Sequence, residues 1–325
     1  MKQASDLKLY EFNRKYGWWG TPNFEKRSFH AEYNRELRIF HDSFGNRSPY
    51  EANAPKFDQA AFVFLGGSHT WGGGVENFET YPAIFGELSK YPVLNLGHCS
   101  FGLDQILLVF MNLVDKIGTR SGLERVFIEL HPWVIHRVLR KSALGYPKPF
   151  FEVIDNQIRL RTLSTIQANP LIRKYVGEYY LFEKSYREYK SNIELGVFQN
   201  DELADPIFVL WKQNYYKQMY ILIEKLLELF AQISTELKIE LSFILGPTRQ
   251  ELNDKFERNH LINPSMPRRI LRQCFDRIGL NYVDLLANFK SIQSHADQGM
   301  YPDGHINVLG HSIFAKKLHK EFLNY

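Results

Sequence analysis

From Ala60 onward the chain alternates short apolar runs with longer stretches whose apolar residues recur every three or four positions. Such alternation points to a parallel sheet, because parallel strands need long crossovers and a helix is the usual one. The first run, Ala61–Leu65, is ended by Gly66-Gly67. Pro92–Leu96 ends at Gly97, Arg125–Leu130 leads into His131-Pro132-Trp133, Ile239–Leu245 stops at Gly246-Pro247, and Asn281–Leu285 is the last. Between them the spacing predicts helices over 78–89, 103–117, 206–236, 267–278 and 309–323; in the second, Ile106, Leu107, Phe110, Met111 and Val114 share one face. The expected architecture is a three-layer α/β/α domain around five parallel strands.

Two segments stand outside this rhythm. Residues 1–57 are aromatic and charged without a clean period, and read as an extension packed on a main domain of residues 58–325. Within it Arg35–Phe40 reads as a short strand, while Trp18 and Trp19 either cover an apolar edge or line a cleft. Residues 140–205 form an insertion that reads equally as a cap over the ligand crevice or as a dimerisation arm. It opens with a hairpin over 150–160 turning at Asp155-Asn156 and continues through a tyrosine-rich stretch. Nothing in it sets an oligomeric state.

Composition removes several classes of function. A net charge of +4, with bases and acids interleaved, offers no basic stripe for nucleic acid. The two cysteines, Cys99 and Cys274, are too few for a disulfide framework. Met1–Lys8 has no apolar run after its charges, and no run approaches the ~18 apolar residues of a membrane span, so a cytoplasmic protein is expected. The glycines at 66–67 and 72–74 lack the spacing and the lysine of a phosphate loop, which disfavours a nucleotide-binding α/β protein.

What remains is a constellation for nucleophilic chemistry. Ser68 follows the first strand in a glycine-bounded turn, where open α/β sheets bind their ligands. Taken alone it reads as a helix cap. Asp303-Gly304-His305, just before the last helix, supplies an imidazole to take the hydroxyl proton and a carboxylate to orient it. Asn95-Leu96-Gly97 ends the second strand, and Gly97 is expected to turn its N–H toward a substrate oxygen. Arg249, after the fourth strand, reads either as a contact to an anionic or carbohydrate substrate or as a solvated arginine at a helix start. Glu129, unusual within a strand, is expected to have an arginine or backbone partner.

The order of these blocks resembles the SGNH/GDSL hydrolases, over roughly residues 60–130 and 239–320. Further likeness lies in Thr70-x-Gly72, Asp104-Gln105 and Asn307-x-x-Gly310-His311. The resemblance implies a flavodoxin-like fold, with Ser68 as nucleophile, His305 as general base, Asp303 as its orienting acid, and the N–H groups of Ser68 and Gly97 as oxyanion donors. It implies a serine esterase or O-acyltransferase that acts, without metal or cofactor, on a small-molecule or carbohydrate acyl ester, an acetyl ester above all. Two positions depart from the family. Gly67 stands in place of its aspartate, and His131-Pro132-Trp133 in place of its third-block asparagine. His131 or Trp133 is the expected replacement donor. The alternative is a catalytically impaired SGNH-like binding or scaffold protein.

Overall fold

Five parallel strands, β1 (Phe62–Leu65), β2 (Val93–Asn95), β3 (Arg125–Glu129), β4 (Leu241–Leu245) and β5 (Tyr282–Asp284), form the central sheet in the order β5-β4-β3-β1-β2. This is the flavodoxin-like order. After β1 the chain steps outward to β2 and then returns to β3 on the other side of β1, which opens a crevice at the carboxyl ends of β1 and β3. The computed structural model describes residues 8–49, 59–117, 122–163, 170–176, 179–181, 213–252, 265–293 and 304–323.

The period-2 alternation of strand side chains sorts the core into two layers. Val63, Leu65, Val126, Ile128, Leu241, Phe243 and Leu245 pack with helices α3 (Leu103–Ile117), α4 (Gln213–Leu237) and α5 (Met266–Ile278). Phe62, Phe64, Phe127, Ile244 and Val283 face α2 (Tyr81–Ser89) and α6 (Val308–Phe322). The three-layer expectation holds, and α3 has the bounds its periodicity predicts. The helix expected over 78–89 begins instead at Tyr81. Thr80 caps it by accepting from the Ala83 N–H at 3.4 Å, Pro82 occupies its first turn, and Asn77–Glu79 form a separate 3₁₀ turn.

Residues 10–40 form two antiparallel hairpins, Tyr10–Asn13 with Gly17–Gly20 and Glu25–His30 with Arg35–Phe40. Trp18 is buried edge-on against Phe101 (5.5 Å) and donates its indole N–H to the Cys99 carbonyl at 3.0 Å. Trp19 is half-buried, its ring 3.7 Å from that of His98, and it lines a groove with Tyr16, Phe44, Asn46 and Asn112 that runs along α3. The hairpin expected after residue 149 pairs Phe150–Ile154 with Gln157–Thr162 and turns at Asp155 and Asn156, whose φ angles are 52° and 61°. Asp and Asn are among the residues that tolerate this left-handed geometry. Just before it, Lys148 reaches Asp104 in the first turn of α3, with both side chains at most 1% exposed. No helix among the described residues is long and apolar enough to cross a membrane.

Candidate active site

Between β1 and Gly72 the chain makes a single helical turn, α1 (Ser68–Trp71), which sits at the mouth of the crevice. It fits there because Gly66 has no side chain, for a Cβ at that position would stand 2.0 Å from the Thr70 hydroxyl. Ser68, half-buried, is the first residue of this turn, and its carbonyl accepts from the N–H groups of Gly72 and Gly73, each at 2.9 Å. The Ser68 N–H stands at a helix start, where intrahelical partners are lacking. Gly72 ends the turn in the left-handed region, at φ 94°.

The loop before α6 closes on this turn. The imidazole of His305, half-buried, lies against Gly73 so closely that a Cβ there would be 2.8 Å from its ring carbons. The Gly304 carbonyl is 3.4 Å from His69 Nε2, and the rings of His69 and His305 are 5.7 Å apart. Ser68 and His305 therefore belong to one cluster. Asp303 lies outside the described residues. The rest of the Asn307-x-x-Gly310-His311 motif builds the scaffold. Asn307 caps α6 by accepting from the Gly310 N–H at 3.1 Å, and His311 Nδ1 accepts from the Tyr81 N–H at 3.1 Å.

From β3 come the groups that sequence reasoning left partly open. Glu129, 2% exposed, has no hydrogen-bond partner at Oε1, which lies 3.7 Å from His69 Nδ1. The expected arginine partner is corrected accordingly, since Glu129 lies beneath the nucleophile turn, against Gly66 and Gly246, with His69 above it. His131 packs edge-on against His69 at 4.8 Å, and burial first, with neighbouring cations second, pushes its imidazole well below the usual range, leaving it neutral. Of Trp133 only the backbone is described, within the 3₁₀ helix Pro132–Leu139.

The same helix carries Arg137, which sequence reasoning missed. Its Nη1 lies 3.6 Å from where a Cβ of Gly67 would be and donates a long bond, 3.4 Å, to the Phe101 carbonyl. Arg249 is exposed at the start of the short helical turn Arg249–Leu252. The buried arginine of that edge is Arg268, which binds both oxygens of Glu251, Asp284 Oδ1 and the Gly246 carbonyl at 2.6–2.8 Å, and thereby sets the turn after β4.

Gly97 requires a correction. Its N–H donates to Asn95 Oδ1 at 2.9 Å and is buried, while the Asn95 amide donates in turn to the Thr70 carbonyl at 2.8 Å. An asparagine two residues before an N–H forms this closed turn readily. Gly97 thus offers no free oxyanion donor; it lets the second loop pack against α1, where a Cβ would meet the Trp71 nitrogen at 2.5 Å.

Fold and site together define an open parallel α/β protein with a serine after its first strand and an imidazole from its last loop at the switch point of the sheet. Among solved structures the chain is similar to a lipolytic protein of the G-D-S-L family from Veillonella parvula (10% identity, 81% of this chain and 98% of that one, TM-score 0.44). It is also similar to an acetylxylan esterase, Axe2, from Geobacillus stearothermophilus (14%, 82% and 95%, TM-score 0.42) and to the acetyl xylan esterase AlAXEase (12%, 81% and 99%, TM-score 0.44). No protein-family model matches the sequence, and no curated protein does.

Proposed function

We propose that this chain is an SGNH-type serine esterase or O-acyltransferase. What supports the reading above all is the joint position of Ser68 at the start of α1 and of the His305 loop packed against the same turn. Ser68 Oγ adds to an acyl carbonyl while His305 accepts its proton and Asp303 orients the imidazole. The tetrahedral adduct collapses to an acyl-enzyme, the alcohol leaves with the proton from His305, and water or a sugar hydroxyl takes the acyl group. The N–H of Ser68 is one oxyanion donor. The sequence resemblance extends the substrate class to small acetyl esters, with acetylated carbohydrate among them.

The test is hydrolysis of short p-nitrophenyl esters by wild type and Ser68→Ala, with fluorophosphonate labelling read by mass spectrometry. Turnover is expected in wild type and loss to background in the variant, with the label on Ser68. Full activity in Ser68→Ala would sink the proposal, and an unlabelled, inert wild type would favour the binding or scaffold protein instead.

A further inference from the structure

Past β3 the backbone coils through Pro132–Leu139 and brings Arg137 back over the nucleophile turn. A guanidinium has five N–H donors, yet among the described residues this one makes a single long bond, to the Phe101 carbonyl. Its Nε is buried without a hydrogen-bond partner, and Glu129, the carboxylate whose charge acts on it, makes no hydrogen bond to it. Burial, reinforced by nearby Arg140, pushes its pKa down to about 10, which leaves it cationic at neutral pH. A half-buried cation with idle donors is poorly compensated, and the cost falls when negative charge arrives beside it.

Negative charge arrives beside Gly67-Ser68 during ester chemistry. When the Ser68 oxygen bonds to the carbonyl carbon, the π pair moves onto the carbonyl oxygen and the hydroxyl proton goes to His305. The pair returns when the bond to the leaving oxygen breaks and that oxygen takes the proton. Beside the Ser68 N–H a second donor is wanting, because the Gly97 N–H is taken by Asn95 and the His131 ring packs against His69. We propose that Arg137 is the side-chain oxyanion donor of this site, binding through Nη1 the oxygen that becomes negative on Ser68 addition. The proposal rests on Ser68 as nucleophile. It also makes the two departures from the family a single change. An aspartate at position 67 would form an ion pair with Arg137 and neutralise it; with glycine there, the arginine that stands in for the asparagine stays available.

The experiment compares wild type, Arg137→Ala, Arg137→Lys and Gly67→Asp on a neutral and an anionic p-nitrophenyl ester, with melting curves for each. Arg137→Ala is expected to lower kcat on the neutral ester roughly 10²–10³-fold, the effect of losing one oxyanion donor, with KM within about twofold. Millimolar guanidinium should restore part of that loss. Arg137→Lys should fall between, and Gly67→Asp should lose kcat while its melting temperature holds. An Arg137→Ala kcat within about threefold of wild type overturns the proposal, as does a defect confined to KM for the anionic ester, which would mean that Arg137 reads a substrate charge. Loss of kcat without guanidinium rescue and with a collapsed melting temperature also overturns it. Fluorophosphonate labelling of wild type separates the two readings: an unlabelled Ser68 removes nucleophile and donor together, whereas a labelled Ser68 with an indifferent Arg137 removes the donor alone.

Discussion

Two arginines, one buried and one half-buried, flank the Ser68 turn and are treated in opposite ways. Arg47, 0% exposed, donates to Asn77 Oδ1 at 3.0 Å and to the carbonyls of Gly72 and Val75, and its guanidinium covers the Trp71 ring at 4.2 Å. Arg137 makes one long bond and leaves Nε without a partner among the described residues. Burial pushes both down to about 10, so the difference lies in their hydrogen bonds. A guanidinium with all three nitrogens engaged is part of the frame, whereas one whose donors are idle beside Ser68 has spare capacity for a ligand. The imidazoles follow suit. On the Arg47 side, His41 Nδ1 faces the Thr21 carbonyl at 3.1 Å and Nε2 faces the Trp71 indole N–H at 3.4 Å, a pairing that suits one neutral tautomer. On the Arg137 side, His69 stands edge-on to both His131 and His305, and its Nδ1 lies 3.7 Å from Glu129 Oε1.

The contrast breaks most visibly in stability. Arg47→Ala would take a charged donor away from three buried oxygens, and unfolding in urea should reveal a loss of about 3–5 kcal/mol. Arg137→Ala removes a cation that satisfies almost nothing, so its stability should stay within about 0.5 kcal/mol of wild type or rise. Equal losses for the two would erase the distinction.

Acid should reach both sides, and on the Arg47 side its effect can be counted. Burial, with Arg47 adding to it, pushes His41 from its ordinary value down to about 4, and His98 is pushed by burial to about 3. A depressed folded-state pKa means that the unfolded chain binds the proton more readily. The stability these imidazoles contribute is therefore present above about pH 6.5 and is lost as pH falls toward 4. For His41 the physical cause is plain: a second ring proton would point at the Trp71 N–H. Urea titrations at pH 7 and pH 5 should differ by about 2 kcal/mol from His41 alone, and His41→Leu should flatten the slope by that amount. A slope unchanged in the variant would show that His41 is not the titrating group.

The smallest effect belongs to the loop that joins the two sides. Gly73→Ala sets a methyl group against the His305 ring and should cost about 1–2 kcal/mol of overpacking in a melting curve. On the proposed mechanism it should also reduce ester turnover more than its stability loss explains, because His305 is displaced from Ser68. Unchanged turnover would mean that the ring does not need this seat.

How much of this could be read from the chain depends on the range of the interaction. Leu103–Ile117 and the turn at Asp155-Asn156 were legible because they depend on neighbours within a few residues, namely a helical stripe and two residues that accept positive φ. The position of Ser68 past the first strand followed from the alternation of elements. The bond that occupies Gly97 spans only two residues, yet an expectation of oxyanion chemistry there hid an ordinary asparagine turn. The N-terminal hairpins were mostly missed because their strands carry no apolar alternation: Glu25–His30 is largely exposed, and Gly17–Gly20 is short and buried on both faces. Arg137 was illegible for a different reason. Its place over Gly67 depends on how a 3₁₀ helix of eight residues coils back across the sheet edge, and no local pattern encodes that return.

The hydrogen bond between His69 and Gly304 spans 235 residues, so in synthesis the two halves of the site are far apart in time. At ~5–20 residues per second, the turn that carries Ser68 leaves the ribosome on the order of ten to fifty seconds before the loop that carries His305. Throughout that interval the nascent chain holds a serine with no base beside it. The proposed site is complete only when α6 docks.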